Sequence, residues 1–280
     1  MNKRAWVMAA GLVCLLAGCS RQGATDEGSH AGMVEISART KKGTDPDSGA
    51  YSLTNATRFY MDATEVTKTQ WDVVYTWAIT NGYRFDYVGS GKAANHPVQS
   101  VNWYDCVKWC NARSEKNGKT PCYTMGTKVY RSGRTLPDCN SSATGYRLPT
   151  NTEWEYAARG GLSDKRFPWG DTIQHSQANY RSSESYPYDT NPTRGYHPKY
   201  ETGGPPFTSP AGAFAANGYG LYDMAGNVWE WCNDWSDLGG RRPIRGGSWY
   251  YYASFARCGY KYWCPPGGAY YFYGFRAVCR

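Results

Sequence analysis

Two residue types carry chemistry in this chain by their number, ten cysteines and 25 tyrosines in 280 residues. Eight of the cysteines, Cys106, Cys110, Cys122, Cys139, Cys232, Cys258, Cys264 and Cys279, lie in the C-terminal two thirds. A thiolate metal centre calls for closely spaced cysteine pairs or cysteine combined with histidine. No C-x-x-C pair occurs, and His30, His96, His175 and His197 are far apart in sequence. An even cysteine count in an exported chain points to disulfides, with a metal–thiolate site as the competing use. The tyrosines are concentrated. Residues 246–278 read GGSWYYYASFARCGYKYWCPPGGAYYFYGFRAV, and 13 of the 36 residues from Arg245 to Arg280 are aromatic, against 32 of the other 244. The chemistry such rings offer is recognition, because each combines a stiff apolar face with a hydroxyl that adapts to polar partners.

A core does not need these rings. Successive side chains of a strand point to opposite faces, so Tyr250, Tyr251 and Tyr252 cannot all face one core, nor can Tyr270, Tyr271, Phe272 and Tyr273. Each buried phenol must also find a partner for its hydroxyl. Trp249 and Phe275 are expected inside and most of the others outside, as a contiguous aromatic patch of the kind that marks a binding site. The ligand-contacting set read from the sequence is Tyr250, Tyr251, Tyr252, Phe255, Tyr260, Tyr262, Trp263, Tyr270, Tyr271, Phe272 and Tyr273. The formal net charge is +8, but its lysines and arginines are scattered and form no block. Nucleic-acid binding is therefore not expected, and a protein or glycan ligand is.

The elements that must position these rings have local signals. Thr67-Lys68-Thr69-Gln70 has the form of a capping box, followed by Trp71, Val74, Tyr75 and Ala78 on one face and stopped by Asn81-Gly82. Asn102 with Asp105 starts a second helix, on which Cys106 and Cys110 share a face. Thr150 with Glu153 starts a third, which ends at Gly160-Gly161. Residues 162–245 are rich in Gly, Pro, Asn and Asp and read as loop, long enough to need disulfides or ions to hold it. Short strands and turns follow. Apolar residues make up 41% of the chain, enough for a sizeable core. Helices early and strands late predict an α+β domain.

At the N-terminus, Lys3 and Arg4 precede an apolar run over residues 5–17, too short to span a bilayer, that ends in Leu16-Ala17-Gly18-Cys19. This resembles the lipobox of bacterial lipoproteins, a generic secretory signal being the alternative. It implies a signal peptide over 1–18, lipidation of Cys19, a flexible tether over 19–50 and a folded domain over 51–280. The expected location is the bacterial cell envelope, lipid-anchored at the outer-membrane surface, and the expected state is monomeric.

Three stretches carry a family resemblance: GYRLPTNTEWEYAARGG at 145–161, NGYGLYDMAGNVWEWCNDW at 217–235, and RGGSW at 245–249 with GFRAV at 274–278. In this order they resemble the formylglycine-generating-enzyme or sulfatase-modifying-factor family, which implies a loop-rich variant of the C-type lectin fold. The family's oxidases hold copper between two cysteines placed just after GGS, thiolates being suited to copper(I). Tyr251 and Ala256 stand at those positions here, so no catalytic residue or catalytic cofactor is expected. A divergent copper-dependent oxidase remains the alternative, as does a fixed aromatic binding or structural envelope module. The family also implies a structural calcium site from the side chains of Asp223 and Glu230 and the carbonyls of Gly226 and Val228. The competing use of the two acids is to cap turns or pair with arginine. Finally, fixed GGSW and GFR blocks around runs of tyrosine and phenylalanine resemble the variable proteins of diversity-generating retroelements. There a reverse transcriptase rewrites a C-terminal region, here about 245–280, by changing adenines, which turns asparagine codons into those of tyrosine and phenylalanine. The implied function is a surface lipoprotein, not an enzyme, that binds ligands on host or neighbouring cells through a hypervariable face.

Overall fold

Each helix begins where its capping residue stands. Thr67 accepts from the Gln70 amide while its own amide donates to the Gln70 side chain, and α1 (Lys68–Thr80) follows, burying Trp71, Val74 and Ala78. Asn102 accepts from the Asp105 amide at 2.7 Å ahead of α2 (Trp103–Lys116). Thr150 and Glu153 repeat the capping box ahead of α3 (Asn151–Ala158). These bounds agree with the sequence reading. The structure is a computed structural model that describes residues 30–235 and 239–280. The signal-peptide reading of 1–18 and lipidation at Cys19 lie outside the described residues. Among the described residues no helix is long and apolar enough to cross a membrane.

The strands are short. The first four are β1 (Met33–Ile36), β2 (Thr40–Asp45), β3 (Gly49–Thr54) and β4 (Phe59–Asp62). After α2 come β5 (Tyr123–Met125), β6 (Lys128–Val129) and β7 (Asp138–Cys139). After α3 come β8 (Trp229–Trp231), β9 (Arg242–Arg245), β10 (Tyr262–Cys264), β11 (Tyr273–Gly274) and β12 (Val278–Cys279). Strand β4 lies between β1 and β12, both antiparallel to it, so the two ends of the fold meet in one sheet. A second sheet runs β10-β9-β8-β11, with β11 parallel to β8 and the other pairs antiparallel. This is the expected loop-rich α+β architecture. The expected tether is corrected over its second half. Strand β1 pairs with β4, β2 forms a hairpin with β3, and the compact unit begins at Gly32.

The main core stacks Trp71 on Trp109 at 6.0 Å, with Phe275 edge-on to both, and extends through Trp103, Trp229, Trp231 and Trp249. Cys106, Cys110, Cys122, Cys139, Cys232, Cys258 and Cys264 are free thiols, which corrects the disulfide expectation for them. All but Cys139 are buried and act as small apolar residues, with Cys106, Cys110 and Cys232 pushed well above the usual thiol range by burial. The long loop segment is held by polar side chains instead. Asp189 accepts from the Tyr180 hydroxyl at 2.7 Å, the Ser182 hydroxyl at 3.0 Å and the Ser183 amide at 2.8 Å. Asn227 accepts from the Ser209 amide and donates to Glu65 at 2.6 Å.

Buried arginines complete the frame. Arg276 is fully buried, makes two 2.7 Å bonds to Glu230, and donates to the carbonyls of Asp62, Ala63 and Tyr222. Arg245, also fully buried, reaches Glu155 at 2.8 Å, Asn151 at 2.7 Å and the carbonyl of Tyr260 at 2.7 Å. Removing one partner of such a pair strands a buried charge. Arg276→Gln is therefore expected to cost roughly 3–5 kcal/mol, read as a lowered midpoint at unchanged slope in urea unfolding.

The histidine pair predicts an acid sensitivity. His175 is held neutral, accepting at Nδ1 from Asn191 and donating at Nε2 to the Tyr180 carbonyl, with the His197 ring 4.8 Å away. Burial, aided by His197, pulls its pKa down to about 4. The unfolded chain then binds a proton that the folded chain refuses, so this site's contribution is intact above the ordinary histidine range and lost as pH falls toward 4. The loss reaches about 3 kcal/mol at most. Asp223, pushed up to about 6 by burial, acts in the opposite sense over part of that window. The check is therefore the difference between wild type and His175→Gln in urea midpoint at pH 7.5 and pH 5, with the variant losing less on acidification.

Candidate ligand-binding face

The aromatic stretch leaves β9 through Gly246 and Gly247, both at positive φ (87° and 72°). A Cβ on Gly247 would stand 2.9 Å from the carbonyl carbon of Phe255 and 3.0 Å from the Ala256 nitrogen, so only glycine fits this crossing. Tyr250 and Tyr251 then lie in a turn, and Ala253–Phe255 form one 3-10 turn. A second turn at Pro265–Gly268 closes with a 3.0 Å bond from the Gly268 amide, and a third at Tyr270–Tyr273 with one of 2.9 Å. The tyrosine runs thus occupy turns instead of alternating along strands, apart from Tyr273, which opens β11.

The turns sort the rings. Tyr250, Tyr262, Tyr270 and Tyr271 are 37%, 50%, 52% and 40% exposed. Tyr251, Tyr252, Phe255, Tyr260 and Trp263 are half-buried. Phe272 and Tyr273 are buried, at 8% and 5%, which corrects their placement among the accessible rings. Phe272 is sandwiched, stacked on Tyr250 at 5.4 Å and on Tyr270 at 5.5 Å. The Tyr273 hydroxyl is taken up by Cys264, whose sulfur lies 2.9 Å away. Trp249 and Phe275 are buried, as expected.

Between the rings lie two adjoining hollows. The smaller, about 180 Å³, is lined by Trp229, Ile244, Tyr251, Phe255, Tyr262 and Tyr273. The larger, about 410 Å³, shares Tyr251, Tyr262 and Tyr273 with it and adds Cys264, Pro265, Gly268, Tyr270 and Phe272. Tyr250, Tyr252, Tyr260, Tyr271 and Trp263 stand outside both linings. Sequence reading missed Trp229, Ile244 and Cys264 as parts of this cleft. Trp229 also belongs to the core. Its second role follows from the β8–β9 pairing, which sets Trp231 opposite Ile244, and from the gap that the turns leave above it.

The positions that the family reserves for copper hold Tyr251, a wall of both hollows, and Ala256, which is buried. Cys258 and Cys264 belong to separate core clusters and offer no thiolate pair. The implied calcium set is largely committed elsewhere. Glu230 accepts both Arg276 bonds and a third from Trp154 Nε1 at 2.7 Å, so it pairs with arginine. Asp223 accepts from the Gly212 amide with one oxygen, while the other is buried without a partner. Burial raises the pKa of Asp223 to about 6, and burial with the neighbouring Asp223 and Glu230 raises that of Glu65 well above the carboxylate range. Calcium takes six to eight oxygens, so the free Asp223 oxygen would need the carbonyls of Gly226 and Val228 and further donors beside it.

Comparison with known proteins agrees with the geometry. The chain is 33% identical over 238 residues to the "Chaperone protein LppX" of Paenibacillus barcinonensis, covering 79% of this chain and 76% of that one. It is 36% identical over 144 residues to the formylglycine-generating enzyme of Mus musculus, covering 51% of this chain but only 28% of the enzyme. Among solved structures, Treponema denticola variable protein 1 superposes with a TM-score of 0.68 at 26% identity, covering 89% of this chain and 94% of that one. CarF superposes with a TM-score of 0.69 at 28% identity, covering 88% and 97%. The model of the sulfatase-modifying factor enzyme 1-like domain matches residues 3–280, and the chain belongs to that family.

Proposed function

We propose that this chain is a surface-displayed lipoprotein that binds a macromolecular ligand through its aromatic face, and that a retroelement rewrites that face. The observation that supports this reading best is how the face is held. Its turns are fixed through the main chain. The amides of Arg181, Trp229, Ser100 and Trp103 donate to the carbonyls of Tyr251, Phe272, Tyr270 and Pro266, at 2.9, 2.8, 3.1 and 3.0 Å. Arg245 adds its bond to the Tyr260 carbonyl. None of these bonds depends on which side chain the residue bears. A loop pinned in this way keeps its course while its exposed side chains are exchanged, which a diversified binding surface requires. Similarity to a protein named a variable protein supports the same reading.

The reading has a direct test in the DNA. A near-copy of the codons for residues 245–280, with adenines at the aromatic positions and a reverse-transcriptase gene beside it, is the expected finding. Without such a template, diversification fails and a fixed binding module remains. Oxygen consumption with copper and a cysteine-containing sulfatase peptide would instead revive the oxidase reading.

Tolerance to exchange is measurable in the protein. Asparagine at the exposed positions 250, 262, 270 and 271, introduced one at a time, is expected to change unfolding free energy by about 0.5 kcal/mol each. Phe272→Asn, which empties the centre of the ring stack, is expected to cost roughly 3 kcal/mol or more. Urea unfolding of the five variants reads both numbers.

A further inference from the structure

We infer that the ligand presents an acidic stretch of polypeptide and sinks one aromatic or branched apolar side chain into the hollow over Trp229 and Ile244. This rests on the reading that the face binds a macromolecule, and it names what that macromolecule offers.

The first observation is charge. Residues 245–280 contain Arg245, Arg257, Lys261, Arg276 and Arg280 and no aspartate or glutamate. Arg245 and Arg276 are committed inside the fold to Glu155 and Glu230, and Arg257 is paired with Asp47. Three other cations lie beside rings of the stretch or its neighbours. Exposed Lys261 has its ammonium 6.0 Å from the Trp263 ring, and exposed Arg241 has a guanidinium nitrogen 3.5 Å from the Trp263 carbonyl. The Arg181 guanidinium sits 5.2 Å from the Tyr196 ring and 5.1 Å from the Tyr252 ring. None of the three is ion-paired with a carboxylate among the described residues. The hollows themselves are lined by uncharged groups. An anionic partner of this stretch meets these cations and no carboxylate from residues 245–280. Among the described residues the exposed hydroxyls of Tyr250, Tyr262, Tyr270 and Tyr271 have no hydrogen-bond partner, which leaves them free to donate to carboxylates.

The second observation is shape, and it selects a polypeptide over a sulfated glycan. The smaller hollow, about 180 Å³, is below the few hundred Å³ of sites that enclose a whole small ligand, and it suits one anchoring side chain. Its rings meet edge to face. Tyr251 stands at 74° to Trp229 and at 67° to Phe255, and Phe255 at 72° to Trp229. Trp229 at the floor is 2% exposed, so no open ring face is offered there for a sugar to lie flat upon. The larger hollow beside it gives room for the residues that flank the anchor.

The test pans a random dodecapeptide phage library on the full chain in detergent and, in parallel, on two variants. One carries Lys261→Glu and Arg241→Glu at exposed cations. The other carries alanine at the exposed Tyr250, Tyr262, Tyr270 and Tyr271. A sulfated-glycan array and heparin are probed alongside. The expected result is enrichment of net-acidic peptides bearing one tryptophan, phenylalanine, leucine or isoleucine. Once synthesised, these should lose about tenfold in affinity on the charge-reversed variant and a similar factor when the anchor becomes glycine. Neutral or basic consensus peptides, or equal affinity for the charge-reversed variant, would overturn the inference. So would glycan binding with no peptide enrichment, which leaves the face as a binding site but changes the class of partner. If the ring-stripped variant binds every probe as well as wild type, the binding-face reading itself fails.

Discussion

The fully buried guanidinium of Arg276 lies between the carboxylate of Glu230 and the carbonyls of Asp62, Ala63 and Tyr222, and so joins β4, the loop before β8, β8 itself and the GFR block. Arg245 does the same at the other end of the aromatic stretch, tying β9 to α3 and to the main chain at Cys258 and Tyr260. Such pairs give little net stability against an apolar replacement, because desolvation offsets most of the Coulomb attraction. Their effect is positional. An arginine with all its donors satisfied accepts one arrangement of the elements around it, so both ends of the stretch enter and leave the fold at fixed points.

Between those points the stabilising interactions divide by distance from solvent. The floor, with Trp229, Ile244, Trp249, Phe272 and Phe275, is packed and buried. The rim rests on main-chain bonds from residues remote in sequence, among them Ser100, Trp103 and Arg181. Exchanging a half-exposed ring at the rim removes some contact area but leaves no buried polar group unsatisfied, and that failure is the costly one. A pinned turn above a packed floor is therefore a frame that permits varied side chains without refolding.

What could be read from the sequence was what is decided locally. The three helices followed from caps three residues apart, Thr67 with Gln70, Asn102 with Asp105, and Thr150 with Glu153. The α+β class followed from the order of elements, and the family from its fixed blocks. Non-local features were not legible. Thr40–Asp45, TKKGTD, looks like linker because its hairpin with β3 is mostly solvent-exposed and shows no apolar alternation. The even cysteine count suggested bridges, but buried thiols fill the core as small apolar groups. Phe272 and Tyr273 were placed outside because a run of aromatics was read as a strand. The turns that bury them are set by Ser100 and Trp229, far away in the chain.

The comparison with the oxidase pattern shows how one frame serves two ends. The crossing at Gly247 brings its backbone against Phe255 and Ala256, and it requires glycine whatever the following residues do. That crossing, with the arginine-held strands on either side, fixes where the side chains at 251 and 256 point. A phenol ring at 251 and a methyl group at 256 remove the thiolate chemistry of that pattern and leave the geometry intact. The position where the oxidase pattern has a metal ligand is here a wall of two adjoining hollows.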